Sequence, residues 1–148
     1  MKTRSTRKKI TKNKKNNKII RVLAQGTFDL LHAGHVHYLR EAKSHGNHLT
    51  VIVARDDSVK RVKNHPALFS ERSRVHMVRA LKHVDRAVLG GKGNRLDKVL
   101  EIHPDVIVLG YDQAVSVRKL ANDLASRGLV CKIVRARAFS PHVYKSSK

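Results

Sequence analysis

The sequence predicts one Rossmann-like α/β domain: a doubly wound, parallel, five-stranded sheet with helices on both faces. Three observations predict it. Short aliphatic runs alternate with amphipathic stretches from residue 19 to residue 134, which is the pattern of βαβ units. The apolar runs are four to six residues long, the length of buried strands rather than helices. The chain of 148 residues suffices for one core. Crossover connections of this kind make a parallel sheet. Ligands in such sheets bind beyond the carboxyl ends of the strands, at the topological switch point.

The elements follow in order. Residues 1–18 are Lys, Arg, Asn and Thr with almost nothing apolar, so a disordered basic tail is expected. The folded domain is expected over 19–138, with a C-terminal tail over 139–148. Ile19 to Ala24 reads as a first buried strand, and Gly26 to Asp29 as a turn. His32 to His45 reads as a helix, with Leu31, Val36, Leu39 and Ala42 on helical spacing and Gly46 as its stop. Leu49 to Ala54 is a second strand, followed by a basic loop from Arg55 to Phe69. Ser70 can cap a helix running through Lys82, with Val75, Val78 and Leu81 inward. Asp85 to Leu89 is a third strand, followed by a Gly-rich turn at 90–93. Arg95 to Ile102 is a short helix ended by Pro104, and Val106 to Leu109 is a strand. Val115 to Arg127 is a helix closed by Gly128, and Leu129 to Val134 is the last strand. The single Cys131 excludes an internal disulfide and reads as a small buried strand residue. No apolar run approaches the roughly 20 residues of a membrane span, and no signal core follows the basic start. A cytoplasmic location is therefore expected.

The charge is lopsided, with 32 basic against 11 acidic residues. Nine of the basic residues fall in positions 1–18, which hold no acid, so the remainder still has 23 against 11. Tail and body should therefore both attract polyanions such as nucleotides, nucleic acid or anionic lipid.

The densest local signal is the run from Gly26 to His35, Gly-Thr-Phe-Asp-Leu-Leu-His-Ala-Gly-His, between a strand and a helix. Gly26 lets backbone pass close to a ligand, and Gly34 bares the first turn of the helix, whose N–H groups and dipole favour anions. His32 and His35 are three apart and share one face of that helix start. They form an anion cradle whose donors can also carry charge. On spacing alone they could equally be solvated surface residues. A metal site lacks a third ligand at a sensible spacing. The Gly-x-Gly-x-x-Gly dinucleotide fingerprint is absent.

That ten-residue string resembles the signature of the cytidylyltransferase-like nucleotidyltransferases. Further segments are similar to their archaeal FAD synthase branch. These are Val53-Ala54-Arg55-Asp56 with Val59-Lys60, Arg74 with Met77 to Lys82, Val84 to Gly90, and Val106 to Gln113. The likeness runs from Arg21 to Val134. It implies an adenylyltransferase that moves AMP from ATP to FMN, giving FAD and pyrophosphate. Such a reaction needs no protein nucleophile, and catalysis is positioning plus charge stabilisation. The chain offers cations and N–H donors but no Ser-His-Asp set and no paired carboxylates.

The resemblance assigns roles. Thr27 and Phe28 would line the triphosphate through their backbone, beside Ala33 and Gly34. His32 and His35 would bond the α- and β-phosphates. Lys60 or Lys63 would neutralise phosphate charge, and Arg74 would lie near the acceptor or the phosphates. Asp112 would contact ribose or adenine. A divalent cation, Mg²⁺, would bridge the triphosphate. Lys60, Lys63 and Arg74 could instead be surface charge, and Asp112 a turn residue. Two departures stand out. Ala33 replaces the usual proline of His-Pro-Gly-His. The C-terminal Arg-Thr-x-Gly-Ile-Ser-Thr-Thr element is reduced to Arg135-Ala136-Arg137 and, at most, Ser146 and Ser147. Two alternatives remain: a CTP-dependent cytidylyltransferase for a phospho-alcohol such as glycerol 3-phosphate, and a basic nucleic-acid-binding protein on the same scaffold. The low aromatic content, 4%, speaks against base stacking in the second. Oligomeric state stays open, a homodimer included.

Overall fold

A computed structural model describes residues 18–138. The described residues form five strands and five helices, in the order β1 (Arg21–Gly26), α1 (Ala33–Lys43), β2 (His48–Val53), α2 (Asp56–Lys63), α3 (Glu71–Arg79), β3 (Arg86–Leu89), α4 (Arg95–Ile102), β4 (Val106–Leu109), α5 (Val117–Ala125) and β5 (Lys132–Arg135). The sheet is parallel throughout, in the order β3-β2-β1-β4-β5. The chain thus winds outward from β1 to β3, returns, and winds outward again. The switch point lies between β1 and β4.

Alternation along the strands divides the core. Val22 and Ala24 of β1, Val51 and Val53 of β2, and Val106 and Val108 of β4 face Leu39 and Ala42 of α1 and Val75 and Val78 of α3. Leu23, Ile52, Ile107 and Leu109 face the opposite side, against Leu96 and Val99 of α4 and Leu120 and Leu124 of α5. Helices therefore cover both faces, as the period-two pattern of strands buried on each side requires.

The helix ends follow the sequence signals. Ser70 Oγ accepts from Ser73 N and caps α3. Gly46 sits where a Cβ would stand 2.5 Å from the Ile20 carbonyl oxygen, so the chain can turn there only without a side chain.

Three expectations are corrected. Residues 55–69 do not form one loop, because 56–63 close into α2. Asp56 and Asp57 stabilise its first turn, Lys60, Arg61 and Lys63 its last, and Val59 buries its inner face. Cys131 is only half-buried and precedes β5 rather than lying in it. The last strand begins at Lys132, after an irregular stretch in which Leu129 is buried and Val130 is 87% exposed. The tail expectations for 1–17 and 139–148, with Ser146 and Ser147, fall outside the described residues. Among the described residues no helix is long and apolar enough to cross a membrane.

Candidate active site

At the switch point β1 and β4 share only two registered pairs, Val22 with Val106 and Leu23 with Ile107, and then separate. The opening is braced by side chains. The Tyr38 hydroxyl, from α1, donates to the Val108 carbonyl at 2.6 Å and accepts from Gln25 N at 3.3 Å. Burial pushes the Tyr38 hydroxyl far above the ordinary phenol value, so it stays a donor. Gln113 Nε2 donates to the Gln25 carbonyl, and its Oε1 accepts from Gly110 N. Beyond these braces lies a cavity of about 710 Å³, floored by the β1–α1 turn and walled by the chain after β2 and β4.

The turn is unusual at Phe28. Its φ of 55° is left-handed, a conformation that a bulky residue keeps only under constraint. The constraint is packing. The Phe28 ring is 3% exposed and fills the space beside Gly26, where a Cβ would stand 2.9 Å from it. The ring also lies 5.5 Å from that of His35, centroid to centroid.

His32 and His35 cap α1 reciprocally. His32 Nδ1 accepts from Gly34 N at 3.0 Å, and His35 Nδ1 accepts from His32 N at 3.3 Å. This is a capping box built from imidazoles instead of Ser and Glu. An Nδ1 that accepts leaves the proton of the neutral ring on Nε2. Both rings line the cavity, with centroids 4.0 Å apart. The expectation that they carry charge is corrected for His35. Burial, with help from His32 and Lys63 and against Asp112, lowers its pKa to about 4. At neutral pH His35 offers an N–H, not a cation.

The structure gathers Thr27, Phe28, Gly34, Lys63 and Asp112 around these rings. Lys63 and Asp112 approach His35 from the ends of α2 and β4, and each acts on its charge. Three expected residues do not line the cavity. Ala33 is exposed in the first helical turn. Lys60 is exposed on α2, one turn before Lys63 and about 4.5 Å back along the axis. Arg74 is neither a phosphate ligand nor a surface charge, because it is completely buried. Its guanidinium donates to the carbonyls of Phe69, Thr27 and Ala54 and to Asp56 Oδ1. It joins the ends of β1 and β2 to the start of α3, and so positions the turn that holds Thr27.

A second clamp is Asp29. Its two oxygens accept from Leu68 N at 2.7 Å and Phe69 N at 2.9 Å. Partial burial raises its pKa, but those hydrogen bonds, with Arg74 and Lys63, outweigh it and hold the carboxyl below its ordinary value. At the other side Arg135 Nη1 donates to the carbonyls of Gly110 and Gln113 and fixes the loop after β4.

A family model described as cytidylyltransferase-like matches residues 23–148. The chain belongs to the cytidylyltransferase-like family. Among its curated relatives, an FAD synthase of Thermoplasma volcanium is 43% identical over 129 residues, covering 87% of this chain and 90% of its own. An FAD synthase of Aciduliprofundum boonei is 46% identical over 121 residues, covering 82% and 80%. The crystal structure of a lipopolysaccharide core biosynthesis protein from Thermoplasma volcanium GSS1 superposes with a TM-score of 0.79 at 44% identity. It covers 83% of this chain and 100% of that one.

Several residues that build the site of this cytidylyltransferase-like chain carry no assignment from its sequence, Asp29 and Arg135 among them. Tyr38 and Gln113 brace the switch point, and Arg95 and Arg137 add two cations to the cavity wall. Arg95 and Arg137 had one available signal, since they open the helix after β3 and follow β5, at the sheet end where ligands bind. Tyr38 had none, because an aromatic on the inner face of a helix reads as core.

Proposed function

We propose that this chain is an FMN adenylyltransferase, an FAD synthase like the curated relatives it matches. The observation that carries the chemistry is the reciprocal cap of His32 and His35. It spends both Nδ1 atoms on backbone amides and leaves both Nε2–H donors for phosphate oxygens. Lys63, Arg95 and Arg137 surround the same cavity and supply positive charge.

The reaction follows from these parts. A phosphate oxygen of FMN attacks the α-phosphorus of ATP. The bond from that phosphorus to the oxygen bridging to the β-phosphate breaks, and pyrophosphate leaves. No protein atom becomes covalently attached. Charge accumulates on the α-phosphate oxygens and on the leaving oxygen. Fixed donors stabilise it without reorganising, which favours the transition state over the ground state. His32 and His35 meet that need, since the reciprocal cap orients both rings and Phe28 packs against that of His35. Lys63 neutralises the phosphates, and Asp112 takes ribose or adenine hydroxyl or amino groups. Arg74 acts through the turn and not on substrate.

Mg²⁺ belongs in this reading as the ion carried by the triphosphate. Among the described residues no group of three or more His, Cys, Asp or Glu could hold a metal. Both oxygens of Asp29 are engaged, whereas Asp112 is exposed at the cavity. With Asp112 given to the nucleoside, such an ion would be held by the substrate phosphates and by water. The metal would supply charge neutralisation of the polyphosphate.

The test pairs ATP or CTP labelled at the α-phosphorus with FMN or glycerol 3-phosphate. Label should appear in FAD from ATP and FMN. A CDP-alcohol without FAD would overturn the assignment.

A second reading concerns the basic tail, whose nine cations without an acid suit a polyanion such as RNA. Removing residues 1–18 should weaken RNA binding and flatten its salt slope while FAD synthesis continues. RNA binding unchanged by the deletion would refute it.

A further inference from the structure

The wall of the cavity differs on its two sides. The side after β4 is hydrogen-bonding, with Tyr111, Asp112, Gln113 and the Gly110 backbone. The side after β1 and β2 carries Leu30 and Val62 next to Lys63. Neither Leu30 nor Val62 is needed for the core. Val59 supplies the buried contact of α2 at 3% exposure, while Val62, one turn later, is 80% exposed. Leu31 packs on the core from the β1–α1 turn, while its neighbour Leu30 is 55% exposed. Asp29, which lines the cavity, accepts the N–H of Leu68. Uncovered aliphatic side chains gathered at the mouth of a site mark a surface that an apolar ligand covers.

We infer that Leu30 and Val62 form the seat of the isoalloxazine ring of the acceptor. The inference rests on the FMN adenylyltransferase reading. One geometric requirement selects this occupant over adenine. Whatever lies here must present a phosphate to Lys63, which follows Val62 in α2, and to the two imidazoles, while laying a broad apolar face on aliphatic side chains. FMN has both parts at opposite ends of one ribityl chain. Adenine, rich in hydrogen-bonding nitrogens, suits the side of Asp112 and Gln113. A phospho-alcohol such as glycerol 3-phosphate would leave the aliphatic rim uncovered.

The Leu30→Ser/Val62→Ser double variant tests the seat, because exposed positions tolerate the change without loss of fold. Full-length protein should show a KM for FMN raised about tenfold, the effect of losing one well-buried aliphatic contact. The KM for ATP and kcat at saturating FMN should stay within about twofold. Riboflavin, which has the ring and no phosphate, should gain fluorescence anisotropy on binding wild type and bind the double variant about tenfold more weakly. A double variant with unchanged FMN KM and riboflavin affinity, in an enzyme that does make FAD, overturns the seat alone. So does Tyr111→Ala if it raises the FMN KM while sparing that of ATP. A wild-type protein that makes no FAD but does bind riboflavin at this rim overturns the activity and leaves the ring seat supported. One that does neither overturns both.

Discussion

Arg74, wholly buried, donates from Nη2 to Asp56 Oδ1 at 2.7 Å, while the Asp56 side chain is 48% exposed. The pair is a hinge pin between the start of α2 and the site turn, since the same guanidinium holds Thr27 and Ala54. Arg74→Lys keeps a charge but loses the planar fork. It should lower stability by about 2–4 kcal/mol in urea unfolding, because buried carbonyls lose their donors. Asp56→Asn should cost about 1 kcal/mol, since water reaches that side of the pair. Equal midpoints for wild type and Arg74→Lys would contradict the strut.

His32 combines a cap with a phosphate donor, and the two can be separated. Asn is a strong N-cap but has no donor where Nε2 stands. His32→Asn should keep the melting temperature of wild type and lose about 10²–10³ in single-turnover FAD formation. His35→Ala should lose as much in rate and about 1 kcal/mol in stability, because the His32 amide loses its acceptor. A His32→Asn enzyme with wild-type turnover would show that His32 only caps.

His35 sets a pH dependence with a definite sign. Its folded pKa, about 4, is below the ordinary imidazole value near 6.5. The unfolded chain therefore binds the extra proton more readily between those values. The contribution is fully present above pH 6.5 and declines as pH falls toward 4. Protonating Nδ1 would also turn the cap acceptor into a donor. Ring ¹⁵N spectra should show His35 neutral with the proton on Nε2 at pH 6, and a mid-titration near 6.5 would refute this.

Tyr38→Phe removes the hydroxyl that joins Gln25 to Val108. Two backbone groups at the switch point lose a partner, for a cost of about 1–3 kcal/mol in thermal unfolding. The separation of β1 and β4 should also become less defined, raising the KM for ATP more than that for FMN. A variant as stable as wild type would mean that water replaces the hydroxyl there.

Val106–Leu109 and Arg95–Ile102 occupy the positions their apolar spacing indicated, and Ser70 caps the helix it precedes. Such features depend on neighbours within a few residues. Residues 56–63 resemble a loop in sequence because their apolar content is only Val59 and Val62, too little for a helical period to emerge. The site divides the same way. Thr27, Phe28, His32, Gly34 and His35 lie within one turn of chain and were legible together.

The chain's own order thus determined the alternating architecture, the switch-point turn and the histidine pair. Tertiary structure decided what each polar group became. Arg74 reaches Thr27 across 47 positions and is consumed there, while Lys63 is delivered to the cavity and Lys60 is not. Gln113 crosses 88 positions to brace Gln25. The charge of His35 was settled by burial against Phe28 and by Lys63 and Asp112, which arrive from separate crossovers. Local spacing dictates backbone conformation and facing. Protonation and reach depend on what distant segments bring within a few ångströms, and only the packed sheet sets that.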